Sequence, residues 1–490
     1  MLLRDWLSDA PAAAADLQVS RLIVDSRRIQ PGDTFVALAG IQHDARQHIP
    51  AAVAAGARLV LAEAGGDWQQ HGVCGSVPVV VVAELSQRLG DLAACFHDQP
   101  SAAMTVLAVT GTNGKTSIAN LLAGALEQLH QRSAVIGTLG NGFYGELLPS
   151  QFTTPDPLQL QGLLASFRDR GARCIAMEAS SHGLQQGRMA GTRIHTALFT
   201  NLTRDHLDYH GDMASYAAAK GLLFQWPDLK AAVINADDPQ GAIYRSLLAP
   251  GVRCLRYSLD PASDAELVAE SVQPSLQGLQ LRVRTPEGVI ALHSALLGRF
   301  NASNLLAVLG GLMTLGHSAV SAAAALAAVP PVAGRMQCLR NAGSALAVVD
   351  YAHTPDALEQ ALKAAREHTT GQLWCVFGCG GGRDTGKRPQ MGRVAAELAD
   401  RVVITTDNPR EEAPDEIIAH VRSGMPADVD VVVVADRAEA IAHALREARP
   451  EDVVLIAGKG HETYQEIMGV RYPFNDADQV RQVLGLEAQS

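Results

Sequence analysis

Gly111-Thr112-Asn113-Gly114-Lys115-Thr116 sets glycines, an ammonium and two kinds of hydrogen-bonding side chain within one short stretch. The run before it, Val106-Leu107-Ala108-Val109-Thr110, is apolar and β-branched. After it, Ile118, Leu121, Leu122, Ala125 and Leu129 recur at helical spacing. Strand, glycine turn, lysine and helix make a phosphate cradle, because loop N–H groups and the positive end of the helix dipole converge on one spot. Lys115 can neutralise phosphate charge, and Thr116 can offer its hydroxyl to Mg²⁺. The strict phosphate-loop pattern requires a glycine where Val109 stands, so this loop is a shorter variant. The competing reading is a plain glycine turn followed by a surface lysine.

Polar clusters follow further downstream: Thr153-Thr154-Pro155-Asp156, residues 178–188, residues 201–211, and Tyr216 with Lys220. Glu178 and His206 are oxygen and nitrogen donors that could hold Mg²⁺ beside the phosphate loop. Taken singly, His206 reads as a structural histidine and Lys220 as a solvated helix lysine. Ser180 could be a turn residue and Arg188 a surface charge. Their joint occurrence behind a phosphate loop favours a site.

The elements that must position these residues are legible in outline. At 490 residues the chain exceeds one core, so more than one domain is expected. Residues 1–88 read as a small α/β domain, with strands near 22–24, 34–38, 59–62 and 79–83. A helix over 85–97 leads into a second domain, 89–332. There the strands near 104–110, 174–177, 196–200 and 232–235 alternate with helices, which implies a parallel sheet. In such sheets ligands sit at the carboxyl ends of strands, where Gly111, Glu178 and Asn201 fall. Residues 265–295 alternate like antiparallel strands, and helices are expected at 301–315 and 319–328. Pro330-Pro331 marks a linker. Residues 333–490 alternate strands with helices at 355–367, 390–399, 414–423 and 437–448, a doubly wound, Rossmann-like domain. The fold class is therefore α/β, with a small N-terminal domain, a central parallel-sheet domain of phosphate-loop type and a Rossmann-like C-terminal domain.

Composition narrows the partners. A net charge of −11 argues against a nucleic-acid or anionic-membrane surface. The 7 cysteines are odd in number and scattered, with no Cys-x-x-Cys pair, as in a reducing cytoplasm. Neither a signal peptide nor a membrane-length apolar run is expected, and the protein is expected to be a cytoplasmic monomer.

The loop at 111–116, residues 178–188, residues 201–211 and Lys220 together resemble the Mur ligase family, ATP-dependent amide-forming enzymes of peptidoglycan synthesis. The resemblance continues through residues 298–304, Gly334-Arg335-Met336, residues 350–355, 378–389, 407–410 and 458–462, nearly the whole chain. It implies that Gly111, Thr112, Asn113, Gly114, Lys115, Thr116 and Ser117 bind ATP, with Asn304, Arg335 and Asp350 meeting the nucleotide from the other side of a cleft. It implies that Thr116, Glu178, His206 and a carbamylated Lys220 hold Mg²⁺, and that Lys115, Lys220, His206 and Glu178 are catalytic. Thr153, Thr154, Ser180, Gln186 and Arg188 would grip UDP-N-acetylmuramoyl-L-alanyl-D-glutamate, with Val24 and Ser26 at its uridine part. Where the family commonly has Asp-Gly, this chain has Asp44-Ala45.

The resemblance implies that Asp407-Asn408-Pro409-Arg410 lies at the pocket for the amine substrate, meso-diaminopimelate, with the lysine-adding ligase as the alternative. Meso-diaminopimelate is lysine with a second carboxylate at the far end. Selecting it requires a cation that a lysine ammonium would meet as a like charge, and arginine grips a carboxylate through two bonds. The motif marks diaminopimelate-adding members of the family, and lysine-adding members lack the arginine. Arg383, Gly458 and Glu462 would complete this pocket. The alternative for Arg410 is a helix-start surface charge. Two other classes compete: a phosphate-loop NTPase acting as a switch or transporter subunit, and a dinucleotide oxidoreductase built on the glycine run 378–382. In the latter the last glycine of the fingerprint would fall on Arg383.

Overall fold

The computed structural model describes residues 1–40, 44–150, 152–275, 278–332, 334–382 and 384–487. Two compact units emerge: residues 1–119, 130–234 and 238–254 in one, and residues 120–129, 235–237 and 255–490 in the other. Among the described residues no helix is long and apolar enough to cross a membrane.

The first unit opens with a 5-stranded sheet in the order Leu22–Ile23, Thr34–Ala37, Leu59–Glu63, Val77–Val82, Gly72–Cys74. All neighbours are parallel except the last pair. Next along the chain comes the sheet that carries the phosphate loop. Thr105–Thr110 runs between Thr196–Phe199 and Cys174–Glu178, and Ser133–Gly137 follows on the far side of Cys174–Glu178, all parallel. Strands buried on both faces read as unbroken apolar runs, as 106–109 and 174–177 do. Helix Pro157–Asp169 covers one face with Leu160, Leu164 and Phe167. Register aligns the strand ends: Glu178 pairs with Val109, and Phe199 with Thr110. Gly111, Glu178 and Asn201 therefore leave the sheet along one edge.

The second unit holds antiparallel strands Leu267–Ser275, Gly278–Thr285 and Gly288–Ser294, then helices Arg299–Thr314 and Ala319–Ala327. Its 6-stranded sheet has the order Gln337–Leu339, Leu346–Asp350, Val453–Ala457, Leu373–Phe377, Arg401–Ile404, Val431–Val433. The first pair is antiparallel and the rest parallel. Helices Pro355–Glu367, Lys387–Leu398 and Pro414–Arg422 pack on one face through Leu358, Met391 and Ile417. Helices Arg437–Glu447 and Asp476–Leu484 pack on the other through Ile441 and Val480. The sheet is doubly wound.

Sequence and structure part at identifiable places. Helix Lys387–Leu398 starts ahead of the expected 390, because Pro389 sits in the first turn, where its missing N–H costs nothing. Strand Gly140–Phe143 contains two glycines and shows no alternation. The hairpin Tyr464–Ile467 with Val470–Pro473 is largely exposed, so no buried face imprints a pattern on it. Helix Asp476–Leu484 also lay outside the expected elements, yet it closes the second face of the sheet.

That last helix brings Asp476 to Arg437. Both side chains are fully buried, and the guanidinium grips the carboxylate through two bonds of 2.7 Å. Arg437 also donates to Thr406 O at 3.2 Å and Ala457 O at 3.0 Å, tying together the chain on either side of Asp407 and Gly458. Asp476→Asn leaves a buried guanidinium uncompensated, so it should lower unfolding free energy by about 3–5 kcal/mol. Urea denaturation of parent and variant checks this.

Candidate active site

The phosphate loop is lashed to the neighbouring strand end. Thr112 N–H donates to Asn201 O at 2.8 Å, and Asn113 N–H to Asn201 Oδ1 at 3.0 Å. Thr200 Oγ1 donates to Asn113 O at 2.6 Å, and Thr203 N–H to Thr112 Oγ1 at 2.9 Å. Gly111 lies at φ +147°, and any side chain there would run into Thr200 Oγ1. Gly114 has positive φ as well and delivers the chain into helix Lys115–Gln128. Lys115 Nζ folds back on the loop, donating to Gly111 O at 2.9 Å and Thr112 O at 2.8 Å.

An acid stands at the next strand end. Glu178 is 1% exposed, and it accepts from Thr138 N–H at 2.7 Å, Thr116 Oγ1 at 3.0 Å and Thr138 Oγ1 at 3.3 Å. These donors are all neutral. Gly137 lets Glu178 in, because a side chain at that position would overlap its carboxylate. A buried carboxylate beside the first-turn hydroxyl of Thr116 suits a hard cation that also takes phosphate oxygens and waters, which is how Mg²⁺ is usually held. Among the described residues no three His, Cys, Asp or Glu side chains form a metal-binding group. His206 has its side chain 46% exposed, with Nε2 3.4 Å from Asp205 and its ring 5.0 Å from that of His182.

Lys220 is 1% exposed, unlike the solvated lysine of the competing reading. Its Nζ donates to Gly111 O at 2.7 Å and lies 4.4 Å from the centre of the Tyr216 ring. Tyr216 stands one turn earlier on helix Met213–Gly221 and meets Thr112 Oγ1 through its hydroxyl at 3.2 Å. Burial pushes the Lys220 ammonium well below the usual lysine range, and the charge of Lys115 pushes it further.

The residues expected at the sugar–dipeptide form one network. Thr153 Oγ1 meets Thr138 Oγ1 at 3.0 Å. Thr154 Oγ1 donates to Glu178 O and meets Ser180 Oγ, both at 2.9 Å. Ser180 caps helix Ser181–Gln185. Arg188 donates to Thr154 O at 2.9 Å and to Gln186 Oε1 at 2.6 and 2.9 Å, and Gln186 donates to Tyr209 Oη at 2.9 Å. Val24 and Ser26 follow strand Leu22–Ile23 of the N-terminal sheet, and Asp25 between them caps the turn Ser26–Arg28. Asp44 likewise caps the turn at Ala45 and grips Arg46 through bonds of 2.8 and 2.7 Å.

In the second unit Asn304 is buried in helix Arg299–Thr314 and donates to Asn301 Oδ1 at 2.9 Å. Asp350 ends its strand and accepts from Met336 N–H and Ala352 N–H, each at 2.8 Å. Burial pushes its carboxyl up, against the pull of Arg335. The Arg335 guanidinium lies 5.0 Å over the Tyr351 ring. Asp407, Asn408, Gly458 and Glu462 cluster, with Asn408 donating to Glu462 Oε2 at 2.8 Å. Arg410 has a left-handed backbone, φ 51°, held by Arg410 N–H to Glu466 O at 3.0 Å and Met468 N–H to Arg410 O at 2.7 Å. It therefore does not start a helix. Its guanidinium donates to Gly381 O at 2.7 Å. Arg383 lies outside the described residues. The glycine run is explained by close packing: side chains at Gly378 and Gly381 would run into Thr405 O and Pro409 O.

Thr138, Thr200, Lys459 and Glu466 also belong to these clusters and were not singled out from sequence. Thr138 had a readable signal, because Gly137-Thr138 follows the apolar run 134–136 as Gly111-Thr112 follows 106–109.

A glycine loop, a lysine at the helix start and a buried acid on the adjoining strand are the frame of a nucleotide-using α/β enzyme. Residues 109–312 match the Mur ligase middle domain, and residues 334–460 match the Mur ligase, glutamate ligase domain. The chain is 48% identical to a UDP-N-acetylmuramoyl-L-alanyl-D-glutamate–2,6-diaminopimelate ligase of Ectopseudomonas mendocina over 97% of this chain and 96% of that one. Its identity to the protein of the same name from Pseudomonas aeruginosa is also 48%, with the same coverage. A solved structure of a ligase with this name superposes with a TM-score of 0.76 at 38% identity, covering 99% of both chains. The chain belongs to the Mur ligase family, ATP-dependent enzymes that form amide bonds.

Lys220 yields a test on stability. Its folded-state pKa lies below the unfolded value near 10.5, so between the two the unfolded chain binds more protons and parent stability rises with pH. In bicarbonate-free buffer Lys220→Met should melt above the parent at neutral pH, with the gap narrowing toward the unfolded pKa. Thermal melts across that range check it, and a gap that widens contradicts it.

Proposed function

We propose that the protein joins meso-2,6-diaminopimelate to the D-glutamate side-chain carboxylate of UDP-N-acetylmuramoyl-L-alanyl-D-glutamate, at the expense of ATP, as a cytoplasmic monomer in peptidoglycan synthesis. The observation that carries this reading is the near-full-length identity of 48% to ligases of that name. Arg410, held beside Asp407 and Asn408, supports diaminopimelate over lysine as the amine.

A carboxylate is a poor acyl electrophile. ATP phosphorylates the D-glutamate side chain to an acyl phosphate, the diaminopimelate amine attacks its carbonyl carbon, and inorganic phosphate leaves. Loop N–H groups of residues 111–117 cradle the phosphates, and Lys115 leaves its contacts with Gly111 O and Thr112 O to follow the transferring charge. Asn304, Arg335 and Asp350 take the rest of the nucleotide. Thr153, Thr154, Ser180, Gln186 and Arg188 orient the dipeptide carboxylate, and Val24 and Ser26 take the uridine end. Asp407, Asn408, Pro409, Arg410, Gly458, Glu462 and Arg383 receive the amino acid.

Thr116, Glu178, His206 and Lys220 are the residues that would hold Mg²⁺, which when bound spreads the charge of the phosphoryl group. The depressed basicity of Lys220 suits carbamylation: the neutral amine attacks CO₂, forms an N–C bond and loses a proton. A cation thereby becomes a carboxylate-like ligand.

Phosphate release measured with ATP, Mg²⁺ and the UDP-dipeptide tests the reading. Meso-diaminopimelate should drive turnover, and L-lysine should do so at least about 100-fold less efficiently, as expected when a fixed arginine loses its carboxylate. Arg410→Ala should lower kcat/KM for diaminopimelate by about 100-fold while leaving the KM for ATP within about twofold. Equal loss toward both substrates contradicts the pocket assignment.

A further inference from the structure

Lys459 is fully buried, yet no role in the reaction falls to it above. Its Nζ donates to Asn408 Oδ1 at 3.0 Å and to Glu462 Oε2 at 2.8 Å. Asn408 Nδ2 donates to the same Glu462 oxygen at 2.8 Å, so ammonium, amide and carboxylate close a triangle. Asn408 Oδ1 accepts a further bond from Glu466 N–H at 2.9 Å, which leaves the amide a single orientation. Both of these donors to Glu462 fall on the one oxygen, Oε2. Tyr464 covers the ammonium, its ring centre 5.7 Å away.

This arrangement is costly for a group with no purpose at the site. Burying an ammonium requires full compensation by partners, and Lys459 finds it in the two side chains read above as receiving diaminopimelate. Without Lys459, Asn408 Oδ1 keeps one donor and Glu462 loses its ion-pair partner. Each side chain would then be held by one bond fewer. Groups that recognise a ligand through two or three bonds work only when their own rotamers are held by a supporting shell.

We infer that Lys459 is a positioning residue for the amine substrate: its ammonium locks Asn408 and Glu462 into the geometry that receives diaminopimelate, without touching the substrate. This inference rests on the amino-acid pocket proposed above.

The test is steady-state kinetics of Lys459→Met with each substrate varied in turn, alongside Arg410→Ala and thermal melts. The KM for meso-diaminopimelate should rise about 10- to 100-fold, the scale of a misplaced binding group, with kcat at saturation within about threefold. The KM values for ATP and for the UDP-dipeptide should stay within about twofold. If Lys459→Met does not fold, Lys459→Gln carries the same expectation, because it removes the charge but keeps a donor for one of the two bonds. A lower melting temperature with all three KM values unchanged overturns the inference and leaves Lys459 structural. So does an equal rise in the KM values for ATP and diaminopimelate. The control separates two failures. Loss of diaminopimelate use in Arg410→Ala with none in the Lys459 variants overturns this inference alone, whereas retention in Arg410→Ala overturns the pocket itself.

Discussion

One backbone carbonyl, that of Gly111, carries two ammonium groups. Lys115 reaches it from the helix that follows the phosphate loop, at 2.9 Å, and Lys220 from a helix far along the chain, at 2.7 Å. Two unit charges sharing one oxygen stand on the order of 5 Å apart, and at an effective dielectric of about 20 they repel by roughly 3 kcal/mol. Burial disfavours the charged form of Lys220 most, and this repulsion adds to it. The fold therefore holds a place where negative charge is in deficit. In the function proposed, phosphate oxygens would relieve it from the ligand side, and conversion of Lys220 to a carbamate would relieve it from the protein side. The acid of the neighbouring strand, Glu178, accepts from neutral donors and stays ready for a cation. Phosphate loop, buried acid and buried lysine are thus parts of one electrostatic arrangement.

That arrangement depends on missing side chains as much as on present ones. Gly111 admits Thr200, and Gly137 admits Glu178. The same logic recurs in the C-terminal sheet, where the run at 378–382 lets the backbone of 405–409 pass close by. Read from sequence, that run could suggest a dinucleotide fingerprint, because glycine marks close approach without saying what approaches. Here the approaching group is the protein's own chain, and the strap it seats bears Asp407, Asn408 and Arg410.

Much of the central region was legible because its strands are buried on both faces and its loop chemistry is local. Strand Cys174–Glu178 and helix Lys115–Gln128 lie close to where periodicity put them. Features that depend on distant partners were not legible. Gly137-Thr138 after the apolar run 134–136 marks a loop at a strand end, but nothing local announces that Thr138 will bond Glu178 or that Lys220 is buried. Arg437 and Asp476 look like ordinary helix charges until the final helix brings them together. The exposed hairpin 464–473 has no alternating pattern, yet its backbone fixes Arg410 in a left-handed conformation. Pattern reading recovers elements; it does not recover which charges their packing makes interdependent.

The central claim is that burial, together with the crowding of Lys115 and Lys220 on Gly111, lowers the basicity of the Lys220 amine and opens it to CO₂. Carbon-13 NMR of the protein equilibrated with labelled bicarbonate tests this most directly. The account predicts a protein-bound carbamate resonance in the parent that disappears in Lys220→Met and weakens on acidification, as the amine is recaptured by protons. A parent spectrum without such a resonance, or one that survives in Lys220→Met, contradicts it.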